Sequence, residues 1–168
     1  VFFTLEVINT TTGNVARIFD NEPNTPPVAK GAPHYLYWSP NSEDLTFIAS
    51  THSEISLYFS GTGKWQSPAR MLGEGPLYFS WADDGSTILI HRGERLLVVS
   101  VASEGPRPPK LVGMASMGFR VPALSPDATG MIYAAKDDDG ESIFLAPTEG
   151  SLTAGRLIMD VGPFSAFL

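Results

Sequence analysis

Trp38-Ser39-Pro40-Asn41-Ser42-Glu43-Asp44-Leu45-Thr46-Phe47 decides the fold, because its pattern returns twice. Trp81-Ala82-Asp83-Asp84-Gly85-Ser86-Thr87-Ile88-Leu89-Ile90 stands 43 residues further on. Leu124-Ser125-Pro126-Asp127-Ala128-Thr129-Gly130-Met131-Ile132-Tyr133 stands another 43 residues beyond, and the alignment needs no gap. In each segment a large apolar residue ends one strand, a Ser-Pro-Asp-type turn follows, and a second strand begins. Proline presets φ early in a turn, while Asp, Asn and Gly tolerate the tight conformations beside it. The runs after the turn (Leu45 to Ile48, Ile88 to Ile90, Met131 to Ala134) are apolar without polar alternation. That pattern predicts strands covered on both faces.

Each repeat continues alike past this hairpin. A polar turn comes next, at Thr51-His52-Ser53-Glu54, at Arg92-Gly93-Glu94 and at Asp137-Asp138-Asp139-Gly140. Third strands are expected over Ile55 to Phe59, Arg95 to Val101 and Ser142 to Ala146. Glycine-containing turns at Gly61-Thr62-Gly63, Glu104-Gly105-Pro106 and Glu149-Gly150 lead to short fourth strands over Ala69 to Leu72, Lys110 to Val112 and Arg156 to Met159. Four antiparallel strands in 43 residues make one blade of a β-propeller, whose stacked blades bury both faces of their inner strands.

The fold class read from this is all-β, an incomplete β-propeller of about three and a half four-stranded antiparallel blades. Residues 1–23 read as half a blade, 33–73, 76–113 and 119–161 as whole blades, and 163–168 as the first strand of a next one. Val1-Phe2-Phe3 and the apolar run Pro163 to Leu168 read as cuts inside strands. Repeat units bury their faces only against neighbours, so such a piece is expected to self-associate through exposed blade edges.

The composition agrees with many tight turns between short apolar runs. The chain of 168 residues is 43% hydrophobic and 17% charged, with 14 Pro and 16 Gly spread along it. A net charge of −7 and the lack of any basic stripe argue against nucleic acid and anionic lipid as partners. No stretch approaches the roughly 20 apolar residues of a membrane span, so no membrane insertion is expected. The absence of cysteine excludes disulfides, thiolate metal sites and cysteine nucleophiles.

The three turn segments resemble the blade signature of TolB-type, WD40-like propeller repeats: an aromatic, Ser-Pro-Asp-Gly, a small polar residue and an apolar strand. Asp83 stands where Pro is usual, Ser42 and Ala128 where Gly is usual, and Leu124 where an aromatic is usual. The resemblance covers essentially the whole chain. It implies a non-catalytic scaffold that binds protein or peptide partners on a rim, in a periplasmic or extracytoplasmic setting. It equally implies the propeller domain of a prolyl-oligopeptidase-like serine peptidase whose hydrolase lies outside this chain. A fold of this kind hosts many unrelated activities.

No side-chain constellation points to chemistry of its own. Asp137-Asp138-Asp139-Gly140-Glu141 lacks the alternating ligands of a Ca²⁺ loop and reads as a solvated hairpin turn. His34, His52 and His91 form no pair at metal spacing, so no metal and no cofactor is expected. His52 and His91 end second strands one blade apart on the same rim; with Arg120 they are the weak rim candidates for ligand binding. Arg120 takes the position held by His34 and Leu77 in the other repeats, at the start of a first strand. The nearest approach to a Gly-x-Ser-x-Gly elbow, Gly113-Met114-Ala115-Ser116-Met117-Gly118, has the wrong spacing, and no catalytic residue is expected. Ser39 and Ser125 recur as turn residues beside Pro. The aromatics Tyr35, Tyr37, Trp38, Tyr78, Phe79 and Trp81 suit a carbohydrate or peptide groove, but their matched positions favour packing between blades.

Overall fold

The computed structural model describes residues 3–20, 33–51, 54–61, 69–75, 77–114, 122–136, 140–149 and 155–162. All described regular structure is β, and it falls into two compact units, residues 1–76 and 77–168.

In the first unit, β1 (Thr4–Ile8) and β2 (Val15–Asp20) form an antiparallel two-stranded sheet. Beside it, β3 (Pro33–Trp38), β4 (Asp44–Thr51), β5 (Glu54–Gly61) and β6 (Arg70–Glu74) form a four-stranded meander in sequence order. The expected covering of the second strand holds in β4, where Asp44 through Ala49 are all buried. Ile18 of β2 packs with Leu45, Phe47 and Ala49 of β4. Three rings close this core. Phe19 meets Phe47 and Tyr58 edge-on with centroids 5.1 Å apart in each pair, and Phe47 stacks on Tyr58 at 5.3 Å. Aromatic pairs in such arrangements add about 1 kcal/mol each beyond the area they bury. The Ala69 amide donates to the Ile18 carbonyl at 3.0 Å, tying the two sheets through backbone as well.

In the second unit, β7 (Leu77–Trp81), β8 (Thr87–Arg92) and β9 (Arg95–Ala102) form a meander. Its outer edge is split. The two-residue β10 (Gly105–Pro106) pairs with the end of β9, and β11 (Lys110–Met114) pairs with its start. The stretch around Gly105, expected only as a turn, thus contributes a short strand of its own. The last sheet runs β12 (Ala123–Leu124), β13 (Gly130–Lys136), β14 (Glu141–Pro147) and β15 (Arg156–Gly162). Leu89 and Leu96 of the first sheet pack with Met131, Tyr133 and Ala146 of the second.

Here one expectation fails. β13 reads as covered on both faces, yet Ile132 is 43% exposed. Side chains alternate along a strand, so Met131 and Tyr133 face the Leu89–Leu96 side while Ile132 faces away from it. An apolar run predicts burial on both faces only where a neighbour covers each of them.

The repeated turn is built the same way three times. The amides of Ser39, Ala82 and Ser125 donate to the carbonyls of Asp44, Thr87 and Gly130 at 2.8–2.9 Å, closing each hairpin. The third residue of each turn then caps it: Asn41 Oδ1 accepts from the Glu43 amide, Asp84 Oδ1 from that of Ser86, and Asp127 Oδ1 from that of Thr129. These bonds hold the Asp84 and Asp127 carboxyls below the usual carboxylate range; for Asp127 the Ser125 hydroxyl is the main cause.

The fourth position of the turn is left-handed in every repeat: φ is 61° at Ser42, 72° at Gly85 and 58° at Ala128. Only Gly85 takes that conformation without strain from a side chain. Ala128→Gly is therefore expected to stabilise the protein by about 0.5–1 kcal/mol, the relief of strain exceeding the extra entropy of the unfolded chain. Urea denaturation checks it. Gly85→Ala should lose a comparable amount.

Candidate functional site

A concavity among the described residues lies within the first unit. It is a groove of about 440 Å³ between the β1–β2 hairpin turn and the end of β3. Val7, Ile8, Val15 and Ala16 form its apolar walls, and Asn9, Thr10, Thr11 and Asn14 come from the turn. Trp38 and Ser42 complete its lining. No lining residue carries a charge.

The hairpin turn is shaped by Asn9. Its Oδ1 accepts from the amides of Thr11 and Thr12 at 3.0 and 2.9 Å, an Asx turn that leaves the side-chain NH2 as donor. The Asn9 backbone closes the loop, donating to the Asn14 carbonyl and accepting from the Gly13 amide. Asn14 in turn donates its amide to Thr12 Oγ1 at 3.3 Å. The loop is thus fixed by its own polar groups rather than by packing.

The strand that brings Trp38 to the groove, β3, is irregular. His34 pairs with Ile48 and Tyr37 with Thr46, so Tyr35 and Leu36 together oppose one residue of β4. Tyr35 absorbs the extra residue with φ at 51°. A bulge of this kind bends the strand and re-aims its side chains. Tyr35, Tyr37 and Trp38, expected between blades, are instead 65%, 52% and 51% exposed. β7 has no bulge, and its Tyr78, Phe79 and Trp81 stay half-buried as the packing reading expects.

At the start of β4, burial pushes the Asp44 carboxyl up to about 6, with the Glu43 charge adding to the shift. Asp44 starts β4, where its amide donates to Ser39 Oγ at 2.9 Å. Ser39 is itself buried and its hydroxyl donates to Asn41 Oδ1, so this recurrent serine serves the turn, as does Ser125 toward Asp127 and Gly130.

Of the rim candidates, His91 is only 2% exposed. It sits in β8, paired with Tyr78 on one side and Leu96 on the other, and is buried. His52 and Arg120 lie outside the described residues, as do Asp137, Asp138, Asp139, Ser116 and the 163–168 segment. The groove residues Asn9, Thr10, Thr11 and Asn14 were not singled out by sequence. Their only local signal is an unbroken run of amide, hydroxyl and glycine residues from Asn9 to Asn14.

No protein-family model matches the chain, and no curated protein matches it. Solved structures do. The β-propeller domain of the Trilobed protease from Pyrococcus furiosus, described as having an open velcro topology, matches with a TM-score of 0.53 at 10% identity. The match covers 92% of this chain and 48% of that one. A eukaryotic initiation factor matches at a TM-score of 0.51 and 12% identity, covering 92% of this chain and 40% of that one. TolB from Acinetobacter baumannii matches more distantly, at a TM-score of 0.38 and 13% identity over 86% of this chain and 46% of that one. The chain spans about half the length of the first of these, and at such identity the likeness shows fold alone. Its sheets are blades of an incomplete β-propeller.

Proposed function

We propose that the chain is a non-catalytic propeller domain that binds protein or peptide partners at the end of its blades. The exposed strand β3 carries this reading. Tyr35, Leu36 and Tyr37 present three consecutive large apolar side chains, 47–65% exposed, next to the turn at Pro40–Glu43. Aromatic residues are enriched at the centres of protein interfaces, and clustered exposure of this kind marks an interaction surface. Panning a displayed peptide library against the chain is expected to converge on one motif, whose affinity falls about tenfold in Tyr37→Ser. Failure to converge, or equal binding by the variant, would sink the reading.

Self-association belongs to the same proposal. Leu157, Ile158 and Met159 on the outer strand β15 are 47–56% exposed, and an apolar outer strand is a template for pairing. Light scattering is expected to show a mass above the monomer that returns to it in Ile158→Lys. The peptidase reading is separated from the first by the parent chain. It requires a Gly-x-Ser-x-Gly elbow with a later Asp and His in a neighbouring hydrolase domain.

A further inference from the structure

From the groove between the β1–β2 turn and the end of β3, we infer a binding site for neutral saccharide, adjoining the protein-binding surface proposed above. Three observations converge on that ligand class. The first is charge: on a chain of net charge −7, none of the groove's residues is ionisable. A site without charge gains nothing from a phosphate, a carboxylate or an ammonium group, and desolvating one there would cost affinity.

The second is chemistry of the rim. Asn9, Thr10, Thr11, Asn14 and Ser42 supply amides and hydroxyls, and nearly all of these groups both donate and accept hydrogen bonds. A ligand whose own groups donate and accept, as sugar hydroxyls do, matches that rim. A polyproline stretch offers carbonyl acceptors without N–H donors and uses half of it. Asn9 is also held in place, since its Oδ1 is engaged by two backbone amides of the turn. Groups fixed in this way lose little freedom when a ligand binds.

The third is the indole in the lining. Trp38 is half exposed and lines the groove, and an indole offers a large aromatic surface on which the C–H face of a pyranose ring packs. Apolar and aromatic side chains beside a few polar groups are the usual make-up of a small-molecule site, and about 440 Å³ is within the usual range of volumes. One or two sugar rings fill such a space.

The test uses the full chain. Cellohexaose, maltohexaose, laminarihexaose and chitohexaose are each examined by saturation-transfer NMR and calorimetry, beside a galacturonate oligomer and a proline decamer. At least one neutral hexasaccharide is expected to bind, with affinity weakened about tenfold or more in Trp38→Ala. Asn14→Ala should weaken it several-fold, and Arg107→Ala, in an exposed turn of the other unit, should leave it unchanged. Should Trp38→Ala fail to fold by circular dichroism, Asn14→Ala decides. The inference is overturned if none of the four neutral sugars binds, if both groove variants bind like wild type, or if the galacturonate oligomer is preferred. Proline decamer binding without sugar binding also overturns it, while leaving the peptide reading of β3 intact.

Discussion

Gly140→Ala is expected to destabilise the 77–168 unit by about 3 kcal/mol or more, the sum of a conformational strain and a direct collision. Gly140 precedes β14 with φ at 152°, a conformation that side chains other than glycine rarely adopt. A Cβ there would also overlap the carbonyl carbon and oxygen of Gly162, which pairs beside it at the end of β15. Both contacts are backbone, so no rotamer change relieves them. The outer strand must shift, and the ladder from Glu141 to Leu145 shifts with it. Gly93→Ala separates the two causes. Gly93 also has positive φ, at 58°, but an added Cβ there meets nothing within 4 Å, so its cost should be about 1 kcal/mol. Urea denaturation of both variants checks the difference; equal losses would mean that the second sheet yields freely at its edge.

The second large effect is a pH dependence carried by Asp44. Burial and the neighbouring Glu43 raise its carboxyl from 3.8 to about 6 in the folded chain. Between those values the folded protein holds a proton that the unfolded chain has released, so stability falls as pH rises. The contribution is fully present below about pH 4, is lost through pH 6, and stays lost above it. Asp44 is only 7% exposed, but residues 40–43 beside it are open to water. The loss is therefore expected at about 2 kcal/mol, less than the 1.36 kcal/mol per pH unit would give in full. Asp44→Asn keeps the amide bond to Ser39 and removes the titration. At pH 7.5 it should melt several degrees above wild type, with the gap closing toward pH 4. A gap that persists at pH 4 would assign the gain to something other than ionisation.

A third, smaller expectation concerns Ser80 in β7, whose buried hydroxyl has no hydrogen-bond partner. Ser80→Ala should gain about 1 kcal/mol, because the unpaired hydroxyl carries its desolvation cost without return.

The repeat alone specified most of this architecture. Turns at Ser39, Ala82 and Ser125 are closed locally, by bonds between residues five or fewer apart, so residue types at fixed spacing suffice to place them. The strands after them follow from unbroken apolar runs. Even the left-handed position was legible at Gly85, and its occupation by Ser42 and Ala128 showed as a departure from the repeat. What sequence did not show depends on neighbours distant along the chain. Tyr35 takes a positive φ with no glycine or asparagine to announce it, because the pairing of β3 with β4 slips by one residue there. Tyr35, Leu36, Tyr37 and Trp38 are all exposed there, so both faces of β3 lack cover, whereas the regular β7 keeps the matching aromatics half-buried. Ile132 is exposed for the same kind of reason: cover on a strand's face is supplied by another sheet, which the strand's own residues do not encode. The groove is the extreme case. Asn9 to Asn14 and Trp38 are more than twenty residues apart, and their juxtaposition arises from packing Ile18 and Phe19 against Phe47, a contact with no local signature in either segment.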